Sequence, residues 1–232
     1  MDRIIAVIPS AGRGLRMGSM VEKPYLLLNG RPILAHTIDV FEQCSEIDAV
    51  VLVVEPDKVR ECHAQVVAPF GFTKVLDIIA GGLTRQESVY RGLQSLGSDS
   101  LMVIVHDAAR PLILPDLIRE SIRVCRRDGA ALVAVPAKDT IKIVRNQTVE
   151  STPDRSTVWL AQTPQTFASD LLKEAHERAI REEYVGTDDS SLVERIGHRV
   201  SVVPGNYENI KITTPEDLDL AAQILQRRAA CA

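Results

Sequence analysis

The sequence predicts an α/β protein with a Rossmann-like, mostly parallel sheet, helices on both faces of that sheet and a protruding β-arm. Three observations lead to this prediction. Short, nearly continuous apolar runs recur along the chain, as expected of strands buried on both faces. Amphipathic segments of helical length separate these runs, and such alternation favours parallel strands joined by crossover helices. One long polar segment, at about 138–160, interrupts the alternation.

The apolar runs and the amphipathic segments give the expected order of elements. Five runs are predicted to be strands: 4–9, 49–55, 74–80, 101–108 and 131–137. Seven segments are predicted to be helices: 31–44, 57–67, 84–96, 115–128, 169–183, 189–196 and 214–228. Thr84 and Glu87 have the spacing of a capping box at a helix start, and Gly197 is typical of a helix end. We predict one domain over residues 1–232.

The predicted β-arm occupies about 138–160. Strand-like alternation surrounds the letters RNQT, which suit a hairpin turn. The segment is polar and is too long for a simple connector. Because a protruding pair of strands needs a surface to support it, the arm indicates an oligomer.

Composition excludes several classes of protein. Apolar residues make up 45% of the chain and charged residues 25%, which is ordinary for a globular protein. The formal net charge of −4 argues against a nucleic-acid binder that depends on bulk positive charge. No apolar run approaches the roughly 20 residues that cross a bilayer. The chain enters a strand pattern almost at once, which leaves no room for a signal peptide, so a cytoplasmic protein is expected.

The four cysteines do not indicate a disulfide framework or a structural metal site. They are spread widely along the chain, without a CxxC pair and without a histidine at zinc-finger spacing: Cys44, Cys62, Cys125 and Cys231. We therefore expect buried or spectator thiols.

A glycine-rich connection follows the first predicted strand. Residues 9–32 read PSAGRGLRMGSMVEKPYLLLNGRP. The glycines, beginning with Gly12 and Gly14, do not have Rossmann fingerprint spacing, and the P-loop pattern is absent. Cations such as Arg16 and Lys23 alternate here with small residues, whose backbone N–H groups can approach an anion. The segment favours a triphosphate cradle over a loose connector with solvated cations.

Asp107 lies in the segment VHDAARP, at the end of the strand predicted at 101–108. Open α/β sheets bind ligands at the carboxyl ends of their parallel strands. A carboxylate at this edge suits a Mg²⁺ ion that bridges phosphates. The alternative is structural, since His106 and Asp107 could cap the next element.

Three further segments carry candidate ligand contacts. In AGGLTRQESV, two glycines allow a base or sugar to approach the backbone, and Ser88 lies on the first turns of the following helix; alone, this is an ordinary strand-to-helix connection. In PDRSTVWLAQTPQTF, Arg155 and Thr163 could bind a phosphate of a second substrate. In ENIKITTPEDL, Lys211 stands between two isoleucines in a short strand pattern and faces away from them.

Together these segments resemble the 2-C-methyl-D-erythritol 4-phosphate cytidylyltransferases. The matching blocks occur in order over nearly the whole chain: PSAGRGLRM with KPYL, GGLTRQESV, HDAARP, DTIK at 139–142, DRSTVWLAQTPQ, TDDSS and NIKITTPEDL. The wider nucleotidyltransferase family shares the glycine-rich loop and its lysine, and HDAARP with DRSTVWLAQTPQ narrows the resemblance.

The resemblance implies a nucleotidyltransferase fold and a reaction. The phosphate of 2-C-methyl-D-erythritol 4-phosphate attacks the α-phosphorus of CTP in line, which gives CDP-methylerythritol and pyrophosphate for isoprenoid biosynthesis. No covalent enzyme intermediate is implied, so catalysis depends on positioning and on charge stabilisation. The resemblance also implies Mg²⁺ or another divalent cation, and a homodimer.

The resemblance assigns roles to individual residues. The catalytic charges are Arg16 and Lys23, at the α-phosphorus and the leaving pyrophosphate, together with Arg155 and Lys211. The implied CTP contacts are Ser10, Ala11, Gly12, Gly14, Gly82, Ser88, Asp107, Ala108 and Arg110, and Asp107 is also the metal ligand. The implied acceptor contacts are Thr140, Arg155, Thr163 and Lys211. Thr140 and Arg155 would reach the site from the arm of the partner.

The chain departs from the family pattern at three positions. Ser10 stands where alanine is frequent, Tyr25 where glutamine is common and Leu83 where a polar residue is common. None of these departures removes a charge that the reaction needs.

Three other functions are alternatives. A sugar-1-phosphate nucleotidyltransferase is disfavoured, because the region after residue 138 resembles the arm rather than a sugar-binding insert. A ribitol 5-phosphate cytidylyltransferase has the same fold and the same CTP chemistry, but Arg155 within DRSTVW argues against it. A catalytically silent nucleotide-binding subunit could lose its cations, whereas this chain has all four: Arg16, Lys23, Arg155 and Lys211.

Overall fold

Eleven strands are present in residues 3–11, 23–97 and 100–230, which the computed structural model describes. They are β1 (Arg3–Pro9), β2 (Leu27–Leu28), β3 (Arg31–Pro32), β4 (Ala49–Val54), β5 (Val75–Ala80), β6 (Ser100–Val105), β7 (Ala130–Pro136), β8 (Ile143–Arg145), β9 (Thr148–Ser151), β10 (Trp159–Ala168) and β11 (Ser201–Pro204). Seven of them form the central sheet in the order β11-β7-β10-β6-β1-β4-β5. Neighbours are parallel except where β10 pairs with β6 and β7, so the predicted mostly parallel sheet is confirmed.

The helices cover both faces of the sheet, as predicted. They are α1 (Ile33–Gln43), α2 (Val59–Cys62), α3 (Ala68–Phe70), α4 (Arg85–Gln94), α5 (Pro115–Asp128), α6 (Ser169–Arg181), α7 (Asp189–Arg195) and α8 (Pro215–Ala230). Helices α1 and α5 pack on one face, and α4, α6 and α7 pack on the other. The helix predicted at 57–67 is irregular, because a π-helical turn over His63–Val67 separates α2 from α3.

The central strand β1 shows why its sequence is apolar throughout. Ile4, Ala6 and Ile8 belong to the hydrophobic cluster on one face of the sheet. Ile5 and Val7 belong to the cluster on the other face. Full burial of such a side chain contributes about 1.5–3 kcal/mol. Alternate residues therefore stabilise both layers, and the strand can be recognised from its sequence.

Two helix-end signals act as the sequence predicts. The Thr84 hydroxyl accepts a hydrogen bond from the Glu87 backbone N–H at 3.1 Å. The Glu87 carboxylate accepts one from the Leu83 N–H at 2.8 Å, which satisfies a further donor at the start of α4. Gly197 has a φ of +87° just after α7. This left-handed conformation favours glycine at a helix end.

The predicted β-arm begins with a separate two-stranded sheet formed by β8 and β9. Asn146 and Gln147 at its turn both have positive φ, 48° and 63°. This backbone suits a two-residue hairpin turn. Trp159 and Leu160, the end of the predicted range, belong instead to β10, where they pair with β7. The arm therefore ends before Trp159.

One predicted strand is wrong and four strands were missed. The segment around Lys211 is not a strand; the Ile212 N–H donates to the Ala109 carbonyl at 2.8 Å without forming a ladder. Ile212 is nevertheless buried and Lys211 exposed, so the predicted alternation of their side chains holds. The missed strands are β10, which buries several polar side chains, the short edge strand β11, and the two-residue strands β2 and β3, which form a small sheet of their own.

The described cysteines are buried, as the sequence analysis expected. Cys44, Cys62 and Cys125 form no disulfide. Burial raises the pKa of the Cys62 thiol to about 11 and that of Cys125 to about 12. Both are therefore protonated thiols near neutral pH.

Across the described ranges, no helix has the length and apolarity needed to cross a membrane.

Candidate active site

Three strand ends meet at one edge of the sheet. The N–H groups of Ser10, after β1, and Gly81, after β5, donate to carbonyls of β4, each at 2.7 Å. The N–H of His106, after β6, donates to a carbonyl of β1 at 3.1 Å. A β-carbon on Gly81 would lie 2.6 Å from the Ala11 β-carbon, so this loop needs glycine to approach β1. Parallel sheets bind ligands at this edge.

Asp107 lies at the centre of a cluster of cations. Arg85 Nε is 3.1 Å from its Oδ1, while Lys211 Nζ is 2.8 Å and Arg110 Nε is 3.5 Å from its Oδ2. The Asp107 side chain is only 10% exposed, whereas that of Lys211 is 40% exposed. Lys211 is therefore the cation of this cluster that an incoming anion reaches most easily.

The cations keep Asp107 ionised in spite of its burial. Burial by itself would raise the pKa of this carboxyl group. The positive charges of Arg85, Lys211 and Arg110 outweigh that effect and hold the pKa of Asp107 well below its usual range. Asp107 therefore stays a carboxylate at every physiological pH.

Arg85 was not predicted as a site residue. The segment TRQE indicated only a helix cap, but the Arg85 guanidinium connects two acids. Its Nε donates to Asp107 Oδ1 at 3.1 Å, and its Nη1 donates to Asp189 Oδ2 at 2.7 Å. Asp189 is 1% exposed and also accepts from Nε2 of the buried His176 at 3.1 Å. The block TDDSS supplied the only sequence signal for Asp189.

Thr163 and His106 form a buried hydrogen-bonded pair behind Asp107. The Thr163 hydroxyl accepts from the Asp107 N–H at 3.0 Å and lies 3.1 Å from His106 Nδ1. His106 Nε2 lies 3.0 Å from the Arg110 carbonyl. Burial lowers the pKa of His106 to about 4, so its imidazole is neutral at pH 7. Nε2 then carries the proton and donates to the carbonyl, and Nδ1 accepts from the Thr163 hydroxyl.

Asn209 fixes the loop that carries Lys211, another contact that the sequence analysis missed. Its side-chain amide donates to the Thr163 carbonyl at 2.9 Å and to Gln162 Oε1 at 3.1 Å. The backbone carbonyl of Asn209 accepts a hydrogen bond from Arg110 Nη1 at 2.8 Å. Asn209 is 1% exposed, so these bonds are shielded from water. The loop and β10 are therefore held together beside Asp107.

Two of the predicted nucleotide contacts, Gly82 and Ser88, are joined by a hydrogen bond in the loop after β5. The Ser88 hydroxyl is fully buried, accepts from the Gly82 N–H at 3.1 Å and donates to the Thr84 carbonyl at 2.9 Å. Ala108 is buried at the other side of the edge, and its carbonyl accepts from the Thr37 hydroxyl at 2.8 Å. Ser88 thus holds the backbone of the Gly82 loop.

The predicted acceptor contacts divide into two groups. Thr163 and Lys211 line the cleft beside Asp107, and Thr140 and Arg155 do not. The full lining among the described residues is Arg85, Asp107, Arg110, Ala161, Gln162, Thr163, Gln165, Thr187, Asp188 and Lys211. Arg155 lies at the base of the arm, where its Nη1 donates to the Lys138 carbonyl at 2.9 Å. A single chain therefore does not bring the arm residues to the cleft.

Several predicted residues of the glycine-rich loop lie outside the described residues. These are Gly12, Gly14 and Arg16. Lys23 begins the short 3₁₀ turn Lys23–Tyr25, and its side chain is likewise outside the description. Their predicted roles stay predictions.

The acidic groups fit a metal that is held mainly by substrate. Among the described residues, no three histidine, cysteine or acidic side chains are grouped as metal ligands. Mg²⁺ commonly binds one or two protein carboxylates together with substrate phosphates. Asp107 is such a carboxylate at the binding edge; its Oδ1 contacts Arg85 and its Oδ2 contacts Lys211, so a metal held by Asp107 would take the place of Lys211 at Oδ2.

The three departures from the family pattern have different surroundings. The Ser10 hydroxyl is buried and has no hydrogen-bond partner among the described residues, so it can face a ligand. Tyr25 packs against the core and interacts with Cys62. Leu83 is 99% exposed. Tyr25 is thus a packing residue.

Comparison with known proteins identifies the family of this chain. The family model described as IspD, 2-C-methyl-D-erythritol 4-phosphate cytidylyltransferase, matches residues 4–227. The enzyme of that name from Geotalea uraniireducens is 48% identical over 97% of both chains. The one from Desulforamulus reducens is 48% identical over 98% of both chains.

Solved structures of the same family share the fold. The 4-diphosphocytidyl-2C-methyl-D-erythritol synthase of Anaerococcus prevotii is 34% identical, with a TM-score of 0.85 over 97% of this chain and 96% of that one. The cytidylyltransferase of Thermus thermophilus is 32% identical, with a TM-score of 0.80 over 97% of this chain and 99% of that one. A family match over nearly the whole chain, with the same fold and the expected segments in order, is specific. The chain belongs to the 2-C-methyl-D-erythritol 4-phosphate cytidylyltransferase family.

Proposed function

We propose that this chain transfers the cytidylyl group of CTP to 2-C-methyl-D-erythritol 4-phosphate and releases pyrophosphate. The observation that carries the proposal is the cluster of Arg85, Arg110 and Lys211 around Asp107, at the edge where parallel sheets bind ligands. Arg85 also pairs with Asp189, so on the side of the cleft Arg110 and Lys211 are the cations that face the carboxylate of Asp107. The exposed ammonium group of Lys211 favours phosphate ligands, and both substrates carry phosphate.

The proposed reaction needs two phosphates to be held in line. An oxygen of the acceptor phosphate attacks the α-phosphorus of CTP, and the bond from that phosphorus to the pyrophosphate oxygen breaks. Lys211 reaches the cleft with an exposed ammonium group and can orient the acceptor phosphate. Arg16 and Lys23 are proposed to stabilise the pentavalent phosphorus and the departing pyrophosphate. Such fixed charges lower the barrier because they need no reorganisation during the reaction.

A divalent cation, Mg²⁺ in the first instance, is part of the proposal. When bound, it would neutralise charge on the triphosphate. Asp107 is the side chain that would hold it, together with phosphate oxygens of CTP.

The natural test compares two acceptors side by side. We expect the purified protein to release pyrophosphate from CTP when both Mg²⁺ and 2-C-methyl-D-erythritol 4-phosphate are present. Turnover with ribitol 5-phosphate and none with methylerythritol phosphate would overturn the substrate. Binding of CTP without turnover on either acceptor would favour a silent subunit.

We also propose that the active form is a homodimer in which each arm completes the site of the partner. Arg155 and Thr140 lie on the arm, away from the cleft of their own chain. Ile143, Val144 and Val149 expose about half of their side-chain surface on the arm, at 45%, 55% and 55%. Apolar groups on an isolated hairpin suit contact with another subunit. A cytoplasmic location also stays part of this proposal.

Replacing Arg155 by alanine is expected to raise the acceptor KM roughly 10- to 100-fold, as the loss of a charged hydrogen bond worth about 1.5–3 kcal/mol implies. The KM of CTP should change little. Arg145→Ala is the matched control, because Arg145 is an exposed arm residue that pairs with Glu150 at 3.3 Å. Steady-state kinetics with each substrate varied in turn measure the difference.

Subunit mixing tests whether the arm acts across the dimer. Arg155→Ala and Lys211→Ala chains are each impaired alone. If Arg155 serves the site of the partner, one site of a mixed dimer contains neither substitution, and activity should rise on mixing. No recovery in a mixed dimer verified by mass spectrometry would place Arg155 in its own chain's site or in neither.

A further inference from the structure

We propose that Arg85 is a positioning residue for the transfer: it holds one oxygen of Asp107 so that the other oxygen faces Lys211. This inference rests on the proposed function and adds a residue to it. Arg85 is the first residue of α4 and extends across the sheet edge to Asp107, 22 residues further along the chain. Arg85 is not one of the charged residues that we expect to contact phosphate.

The two oxygens of Asp107 have different partners. Oδ1 accepts from Arg85 Nε at 3.1 Å. Oδ2 lies 2.8 Å from Lys211 Nζ and 3.5 Å from Arg110 Nε. Arg85 therefore fixes the rotation of the carboxylate, and only one oxygen is left for the cations on the side of the cleft.

Arg85 is itself held from behind. Its Nη1 donates to Asp189 Oδ2 at 2.7 Å, and the other oxygen of Asp189 accepts from His176 Nε2 at 3.1 Å. His176 and Asp189 are 0% and 1% exposed, and the Tyr90 ring stacks on His176 with centroids 6.0 Å apart. The guanidinium thus has a rigid support in α6 and α7. Supports of this kind orient the groups that touch substrate.

The Asp189–Arg85 pair separates this role from direct phosphate binding. A guanidinium has five N–H donors, and a bidentate contact with phosphate uses two of them. In Arg85, Nε and Nη1 already bind two carboxylates. Burial alone would raise the pKa of Asp189, and Arg85 with His176 keeps it below its usual value. The contacts of Arg85 in the structure are thus with protein carboxylates, which is what a positioning residue requires.

Loss of Arg85 should change the availability of Lys211. Without the donor to Oδ1, the Asp107 carboxylate can turn both oxygens toward Lys211 and Arg110. The ammonium of Lys211 is then held more firmly by Asp107 and is less available to the acceptor phosphate. The acceptor KM should rise more than the KM of CTP.

The experiment compares Arg85→Gln, Arg85→Lys and the control Arg123→Gln. Arg123 is an exposed arginine on α5 that pairs with Glu120 and does not line the cleft. Arg85→Gln is expected to raise the acceptor KM about 10- to 100-fold, the usual effect of losing a supporting contact. Arg85→Lys keeps the charge and should recover part of the loss, and Arg123→Gln should match the wild type. Fluorescence and thermal unfolding show how much of each variant is folded.

A second measurement does not depend on turnover. A crystal structure of Arg85→Gln shows directly which way the Asp107 carboxylate faces. We expect both oxygens to turn toward Lys211 and Arg110, because the Arg85 donor to Oδ1 is gone. A carboxylate that keeps its wild-type orientation shows that Arg85 does not hold Asp107 and overturns the inference.

The outcomes separate the two proposals. An inactive wild type rejects the proposed function, and the orientation of Asp107 in the Arg85→Gln structure then decides on Arg85 alone. In an active enzyme, an unchanged acceptor KM in folded Arg85→Gln overturns the inference. A rise in both KM values that Arg85→Lys does not relieve also overturns the inference, because the loss of a merely structural residue would produce that pattern.

Discussion

Replacing Asp107 by asparagine is expected to lower kcat/KM by about 10²–10³-fold, the scale of losing one preorganised electrostatic group. The carboxylate is the shared partner of Arg85, Arg110 and Lys211. Asparagine keeps one acceptor but turns an N–H₂ group toward at least one cation. The cations then repel one another and lose their fixed positions. The carboxylate proposed to hold the divalent cation is lost as well.

The measurement for this variant is the initial rate of pyrophosphate release at several Mg²⁺ concentrations. Asp116→Asn is the matched control, because Asp116 is an exposed acid on α5 that pairs with one arginine. The control should retain the wild-type kcat/KM. A folded Asp107→Asn enzyme with wild-type kcat/KM at every Mg²⁺ concentration would remove Asp107 from the reaction.

The sequence predicts those parts of the fold and of the candidate site that depend on local pattern. β1 can be recognised because every one of its central residues is buried in one of two apolar layers. Asp107 was placed correctly because the carboxyl end of such a strand has a known position at the sheet edge. The arm was found from its polar alternation and its turn.

The parts that escaped prediction depend on distant residues. Arg85 gains its role from Asp189, which lies 104 residues away. Asn209 contacts Thr163 and Gln162, 46 and 47 residues away. Strand β10 buries polar groups whose partners lie on other elements, so it lacks the apolar run that marks the parallel strands. Spacing within one segment contains no information about such contacts.

Acidification should reveal the buried His106 as a loss of folding stability between pH 6.5 and 4. Burial lowers the pKa of this histidine from 6.5 to about 4. Within that interval the unfolded chain binds a proton that the folded chain does not, so stability falls as the pH falls. The contribution reaches about 3 kcal/mol at pH 4. The partly buried His36, whose pKa burial also lowers, acts in the same direction.

The acids of the cluster titrate in another window, which makes the His106 effect separable. The pKa values of Asp107 and Asp189 lie below the ordinary 3.8, since arginine and other neighbours outweigh burial. Their stabilisation is present above that pH and is lost only as the pH falls below it.

Urea unfolding at several pH values measures the free energy of unfolding as a function of pH. Between pH 6.5 and 4 this free energy should fall steeply with pH for the wild type and less steeply for His106→Asn. Parallel curves for the wild type and His106→Asn would show that folding does not change the pKa of His106. A protonated Nδ1 would then donate to the Thr163 hydroxyl at acidic pH, which reverses the hydrogen bond described above.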